Sequence, residues 1–289
     1  MTTPSNAKVK VASLSVGSNT LLVIGKLAVG LWINSASIIS EAVHSATDLL
    51  AALIAFFAVG KANQPADQEH PYGHGKFENI SGMIEAVLII LAGAAIIAEA
   101  IDHLRQGKTT TMIIPGLVIM GISIMINAYV SWRLQKAAKE YDSPALAADA
   151  QHLLSDILTS FGVLLGLLLT AITNLAWIDA ATAILIAIFV IYQGLRLAWQ
   201  TARGLTDASL DEYDLIKIQE ILKSNSQVQS FHRLRTRKAG GEVQIDVHLQ
   251  VDGNMSVLHA HQLCDEIEAK LKTAYPQSVA VLHVEPSKD

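Results

Sequence analysis

The chain has 289 residues, 51% hydrophobic and only 16% charged, where an ordinary soluble domain carries about 25% charged residues; it is too apolar to be wholly soluble. A net charge of −5 offers no basic surface, so a nucleic-acid partner is not expected. A single cysteine, Cys264, excludes a disulfide framework or a cysteine-based zinc module within one chain.

The first ten residues, MTTPSNAKVK, are polar and carry no signal-peptide pattern. Six apolar runs follow, near 11–32, 38–60, 80–101, 112–132, 145–173 and 178–199. Each is long enough for a helix through the hydrocarbon core, which takes about 20 residues. From about Thr206 the chain turns charged and alternating. The expectation is a transmembrane domain of six helices over 1–205 and a soluble α+β domain over 206–289. Lys8, Lys10, Lys61, Lys76, Arg133, Lys136, Lys139 and Arg203 fall on one side of this topology, and Arg105 and Lys108 on the other. Positive charge collects on the cytoplasmic face, so both termini and the soluble domain are expected to be cytoplasmic.

Along the chain, Asn19 and Asn127 read as hydrogen bonds between helices. The second span carries Glu41, His44 and Asp48. His44 and Asp48 are four apart and share a helix face; Glu41 lies a turn nearer the outer mouth. The connection DQEHPYGHG holds Asp67, His70 and His74, with Pro71, Gly73 and Gly75 bending the backbone so that all three can converge. Glu85 and Glu99 in the third span read as snorkelling or helix-contact residues. The fifth span repeats the H-x-x-x-D pair as His152 and Asp156. At 1.5 Å per residue, Asp48 is ~20 Å from Lys61 at the inner end of its span, and Asp156 ~21 Å from Asp142 before its own. The two pairs therefore lie at matching depth near the bilayer middle.

In the tail, DEYDLIKIQEILKS has helical periodicity. QSFHRLRTRK and GEVQIDVHLQV read as strands joined at Gly240–Gly241, and a helix begins after Asn254. SVAVLHVEP is a last strand. Val243, Ile245, Val247, Leu249 and Val251 alternate with polar residues, so one face meets a core and His248 lies on the other. His283 and Glu285 share a face opposite Ala280, Leu282 and Val284. His232 precedes the alternating part of its strand. His261 lies on the second helix, three residues before Cys264, which reads as a buried structural thiol.

Ionisable groups at mid-membrane cost several kcal/mol and mark ion pathways. Two imidazoles and two carboxylates form a tetrahedral set suited to Zn²⁺, and the ion would neutralise both acids. Metal binds only deprotonated ligands, so metal and protons compete. Histidine, with an ordinary pKa near ~6.5, makes that exchange accessible at cellular pH.

At NSASIISEAVHSATDLLA, DQEHPYGHGKFE and DAQHLLSDILTS the sequence resembles the cation diffusion facilitator family of metal transporters, across almost the whole chain. The tail's strand–strand–helix–strand order is similar to that family's ferredoxin-like cytoplasmic domain. The resemblance implies a homodimer in the cytoplasmic membrane that exports divalent metal in exchange for protons by alternating access. It implies a transport site of His44, Asp48, His152 and Asp156, and a second metal site of Asp67, His70 and His74. A third, binuclear site near the dimer interface would draw on His232, His248, His261, His283 and Glu285, with Glu285 bridging two ions. It also implies that Lys76 and Asp207 pair near the junction of the two domains. Histidine at position 44 is the arrangement of zinc-preferring members; iron, cobalt, nickel and cadmium stay open. Two other classes compete. An intramembrane zinc hydrolase would need an open coordination position and a general base, and no H-E-x-x-H is present. A non-transporting membrane metal sensor would leave a complete mid-membrane site without a use.

Overall fold

A computed structural model describes residues 4–32, 36–106, 114–173 and 177–287; the side chains of some helical residues, Glu41, His44, Glu99 and Arg105 among them, lie outside the description, as does Lys108. The chain divides into two compact units, Met1–Ala202 and Arg203–Asp289.

Six long helices come first: α1 (Pro4–Trp32), α2 (Ala36–Ala62), α3 (Lys76–Gln106), α4 (Ile114–Tyr141), α5 (Pro144–Thr173) and α6 (Trp177–Leu205). At 27 to 31 residues each spans more than ~40 Å, beyond the ~30 Å of a hydrocarbon core. Among the described residues, Ala7–Val29, Lys76–Asp102 and Ala183–Leu205 are long and apolar enough to cross a membrane. The outer surface of this unit is greasy: Leu21, Leu91 and Leu185 are 60–69% exposed. Its interior is polar, with Lys8, Ser15, Asn19, Lys26, Ser45, Asp48, Glu78, Glu85, Asp149 and His152 all buried. Helices in lipid gain no hydrophobic drive from contacting each other, so close packing has to hold them. Small residues provide it. A Cβ on Gly93 would sit 2.6 Å from Ile191 Cγ1, and one on Gly194 would sit 2.8 Å from Ile90 Cγ1, so α3 and α6 meet at glycine.

The second unit is ordered α7 (Glu212–Lys223), β1 (Ser230–Ala239), β2 (Glu242–Val251), α8 (Val257–Ala274) and β3 (Ser278–Pro286). β1 pairs antiparallel with β2 through a turn in which Gly240 takes φ 60°, and β3 joins the other edge of β2 in parallel. The parallel step needs a crossover, which α8 supplies. Val243, Ile245, Val247, Leu249 and Val251 are all buried, against Ile218 and Leu222 of α7 and Leu263, Ile267 and Leu271 of α8. Ser256 caps α8 by accepting the His259 N–H at 3.2 Å. Within this unit Arg237 donates to Asp207 at 3.1 Å, and Arg203 donates to the Ser209 carbonyl at 3.3 Å.

Candidate metal centres

Three groups of side chains place potential ligand atoms within 4.8 Å of one another: Asp48, His152 and Asp156; Asp67, His70 and His74; and His232, His248 and Glu285.

The first lies inside the helical unit. α2 contributes Asp48 and α5 contributes both His152 and Asp156, because positions four apart stack on one face of a helix. His152 Nε2 is 3.3 Å from Asp48 Oδ1 and 3.9 Å from Asp156 Oδ2. Asp48 and His152 are 7% and 6% exposed, so solvent screens neither. On α1, Asn19 Nδ2 donates to the Asp48 carbonyl at 3.5 Å. His152 Nδ1 is buried without a hydrogen-bond partner among the described residues. His44 sits four residues before Asp48 on α2, and its side chain lies outside the described residues.

The loop group is built on a tight turn. Gly73 N–H donates to the His70 carbonyl at 2.9 Å, and Gly73 takes φ 81°, a left-handed conformation that glycine adopts without strain. This folds His70 and His74 back to a ring separation of 4.5 Å. Asp67 Oδ2 lies 3.3 Å from His74 Nε2, and Oδ1 lies 3.5 Å from His70 Nδ1. The His70 backbone N–H, donating to Asp67 Oδ1 at 2.7 Å, holds that carboxyl below the usual carboxylate range. His74 is 2% exposed, and among the described residues neither ring nitrogen has a hydrogen-bond partner beyond the Asp67 contact. A buried imidazole set against a carboxylate on a tight turn fits a metal ligand.

In the tail, register does the work. His232 pairs with His248 across β1–β2, and His248 with His283 across β2–β3, so three histidines form one row over the sheet. A bulge between His232 and Arg235, with Arg233 at φ 53°, explains why His232 stands outside the alternation of its strand. Glu285 spans the row: Oε1 is 2.7 Å from His248 Nδ1, and Oε2 is 3.4 Å from His232 Nε2. His283 Nε2 is 3.5 Å from Oε1. The His248 hydrogen bond, with charge from the other two imidazoles, lowers the Glu285 carboxyl below its ordinary value. His261 is not brought to this row; it is exposed on α8, 3.9 Å from Asp265. Cys264 is half-buried rather than buried.

Sequence reasoning missed a polar seam beside the membrane cluster. Lys8 donates to Glu78 at 3.1 Å, Ser143 donates to the other oxygen of Glu78, Ser15 donates to Asp149 at 3.1 Å, and Lys26 donates to Ser45 at 2.8 Å. The signal was available: Lys8, Ser15, Asn19 and Lys26 recur at intervals of seven, four and seven, which is one face of a helix. Snorkelling fails for Glu85, which is 0% exposed and cannot reach the interface; Glu99 lies outside the described side chains.

The family model for the cation efflux transmembrane domain matches residues 12–206, and that for the cation efflux protein cytoplasmic domain matches residues 210–287. An uncharacterized transporter of Synechocystis is 33% identical over 96% of this chain and 90% of its own length. The cation-efflux pump FieF of Shewanella oneidensis is 31% identical over 96% of this chain and 94% of its own. A solved structure of CzrB covers 28% of this chain and all of its own, at 35% identity and a TM-score of 0.27.

Proposed function

Because the chain belongs to the cation efflux family of membrane transporters, with a membrane-embedded helical domain and a cytoplasmic C-terminal domain, we propose that it exports Zn²⁺ from the cytoplasm in exchange for protons. His44, Asp48, His152 and Asp156 form the transport site in this reading. Both termini face the cytoplasm, the protein sits in the cytoplasmic (inner) membrane, and the active form is a homodimer. The observation that carries it is the convergence of Asp48, His152 and Asp156 from two helices into one buried cluster.

The chemistry follows from the donors. Two carboxylates and imidazole nitrogen match the preferences of zinc better than an all-oxygen set would. Open to the cytoplasm, the cluster takes the ion and sheds protons. Open to the far side, it takes protons and sheds the ion, since imidazolium has no free nitrogen lone pair and a protonated carboxyl has lost the charge that holds the metal. His152 is the leading proton carrier: its Nε2 already lies between the two acids. The loop group and the histidine row are cytoplasmic zinc sites, the row binding two ions with Glu285 between them. His261 completes the row only from a second copy of the chain, which ties its role to the dimer.

The test is metal entry into sealed proteoliposomes under an imposed pH gradient. Zinc should enter faster than manganese, and collapse of the gradient should stop it. Zinc that binds the protein yet never crosses, under either gradient polarity, would favour a membrane metal sensor instead.

A further inference from the structure

Glu85, on α3, is fully buried, and neither carboxylate oxygen has a hydrogen-bond partner among the described residues. Asp149, on α5, is 1% exposed; Ser15 Oγ donates to its Oδ1 at 3.1 Å, and its Oδ2 has no partner. α3 and α5 touch just before these positions: a Cβ on Gly82 would meet both Ala148 Cβ and the Pro144 carbonyl at 3.5 Å. The next turn of each helix carries the two acids, which interact electrostatically with each other and with His152. Among the described residues, Lys8 is held by Glu78 and Lys26 bonds Ser45.

Three carboxylate oxygens buried without a donor are costly unless a proton or a cation covers them, and in a metal carrier the two compete for the same oxygens. Depth gives the cation a direction. Asp149 is ~8 Å along α5, with His152 at ~12 Å and Asp156 at ~18 Å, and Glu85 is ~14 Å along α3. These helices start on the cytoplasmic side in the reading above, on which this inference rests. Asp149 therefore lies on the cytoplasmic side of His152 and Asp156, and Glu85 follows one turn after the Gly82–Ala148 contact that sets α3 level with the start of α5. The pair's ligand atoms do not fall within the 4.8 Å group of Asp48, His152 and Asp156, so it is a separate place for an ion to rest.

We propose that Glu85 and Asp149, with the Ser15 hydroxyl, form a further divalent-cation site in which an ion entering from the cytoplasm pauses before it reaches Asp48, His152 and Asp156. The donor set is all oxygen. It binds zinc less tightly than a set containing imidazole, so the ion is handed onward rather than trapped. Conduction through successive weak sites requires that ordering.

Two readouts on the full-length protein test the proposal. The first is the number of zinc ions bound by equilibrium dialysis in an Asp48→Asn, Asp156→Asn background, where the loop and tail sites are common to all samples. Adding Glu85→Gln should lower the count by one per chain, and Glu85→Asp, which keeps the charge, should restore it. The second is zinc flux in proteoliposomes. Glu85→Gln in the otherwise native chain should raise the half-saturating zinc concentration about tenfold, the scale of an auxiliary metal partner, with maximal rate kept within about twofold. An unchanged ion count and an unchanged half-saturation in Glu85→Gln and Asp149→Asn would overturn the relay. So would equal losses in Glu85→Gln and Glu85→Asp together with a lowered melting temperature, which would make Glu85 a packing residue. A wild-type protein that carries no zinc sinks the transport reading itself, whereas zinc-carrying wild type and Glu85→Gln proteins of equal half-saturation sink the relay alone.

Discussion

The two units of this chain invert each other. In the helical unit a set of charged and hydroxyl side chains, Lys8, Ser15, Asp48 and Glu78 among them, is buried, while Leu21, Leu91 and Leu185 face out. In the tail, valine and leucine fill the core and the histidine row lies on the other face of the sheet. The same ligand types therefore meet opposite dielectric settings. Asp48 and His152 lie where water cannot screen them and an unpaired charge is expensive. Glu285 and His232 lie in reach of water, where charge costs less. In the proposed function the buried site suits an ion released by protons, and the exposed one an ion that reports or ties.

The contrast can be broken most severely at the membrane cluster. His152→Ala removes the imidazole between two acids, and zinc flux in proteoliposomes should fall to background. Even an outer partner of a metal ligand is worth about 10–100-fold, and a direct ligand should cost at least that. The tail should keep its zinc in the same protein. Next is the buried ion pair. Lys8→Met strands the Glu78 carboxylate and should destabilise the helical unit by about 3–5 kcal/mol, while Lys8→Met with Glu78→Leu should recover most of it. Thermal unfolding of the detergent-solubilised protein reads both. In the tail the equivalent wound is apolar: Ile245→Ala, at a position with 0% exposure, should cost about 2–5 kcal/mol. Hydrogen exchange of the β2 amides would report it, with the helical unit unaffected.

The smallest effect sharpens the comparison from the exposed side. Glu285 has its carboxyl lowered from an ordinary value of 4.5, first by the His248 hydrogen bond. A carboxyl lowered by folding adds stability above its ordinary value and loses it as pH falls through the lowered one. The stability of the zinc-free tail within the full chain should therefore fall as pH drops below about 4.5. Glu285→Gln should flatten that part of the profile. A slope unchanged by the substitution would mean that the histidine row does not hold Glu285 in solution.

What the sequence made legible follows the same division. Apolar run length marked the six helices and alternation marked β2, because both depend on local period alone. The H-x-x-x-D pairs were readable because four-residue spacing fixes a helix face whatever the tertiary structure does. The ion pair of Lys8 with Glu78 was not, nor was the hydrogen bond of Ser15 to Asp149. Those contacts join residues 70 and 134 apart, and no local pattern on either helix names its partner. Glu85 was left between snorkelling and helix contact for the same reason: its sequence neighbours are apolar, and only the packing of α3 on α5 favours the contact. In the tail, the bulge at Arg233 shifted His232 into line with His248, which alternation alone could not foresee. His261 stands apart on α8, near Asp265 rather than the histidine row, and the sequence carried no signal of that separation.

The measurement that bears most directly on the central claim is simultaneous zinc and proton flux in sealed proteoliposomes, with a zinc dye and a pH dye inside, for the wild-type protein and Asp156→Ala. The account predicts that zinc enters as protons leave in the wild type, and that the variant moves neither. Zinc entry without proton movement, or wild-type flux in Asp156→Ala, would contradict it.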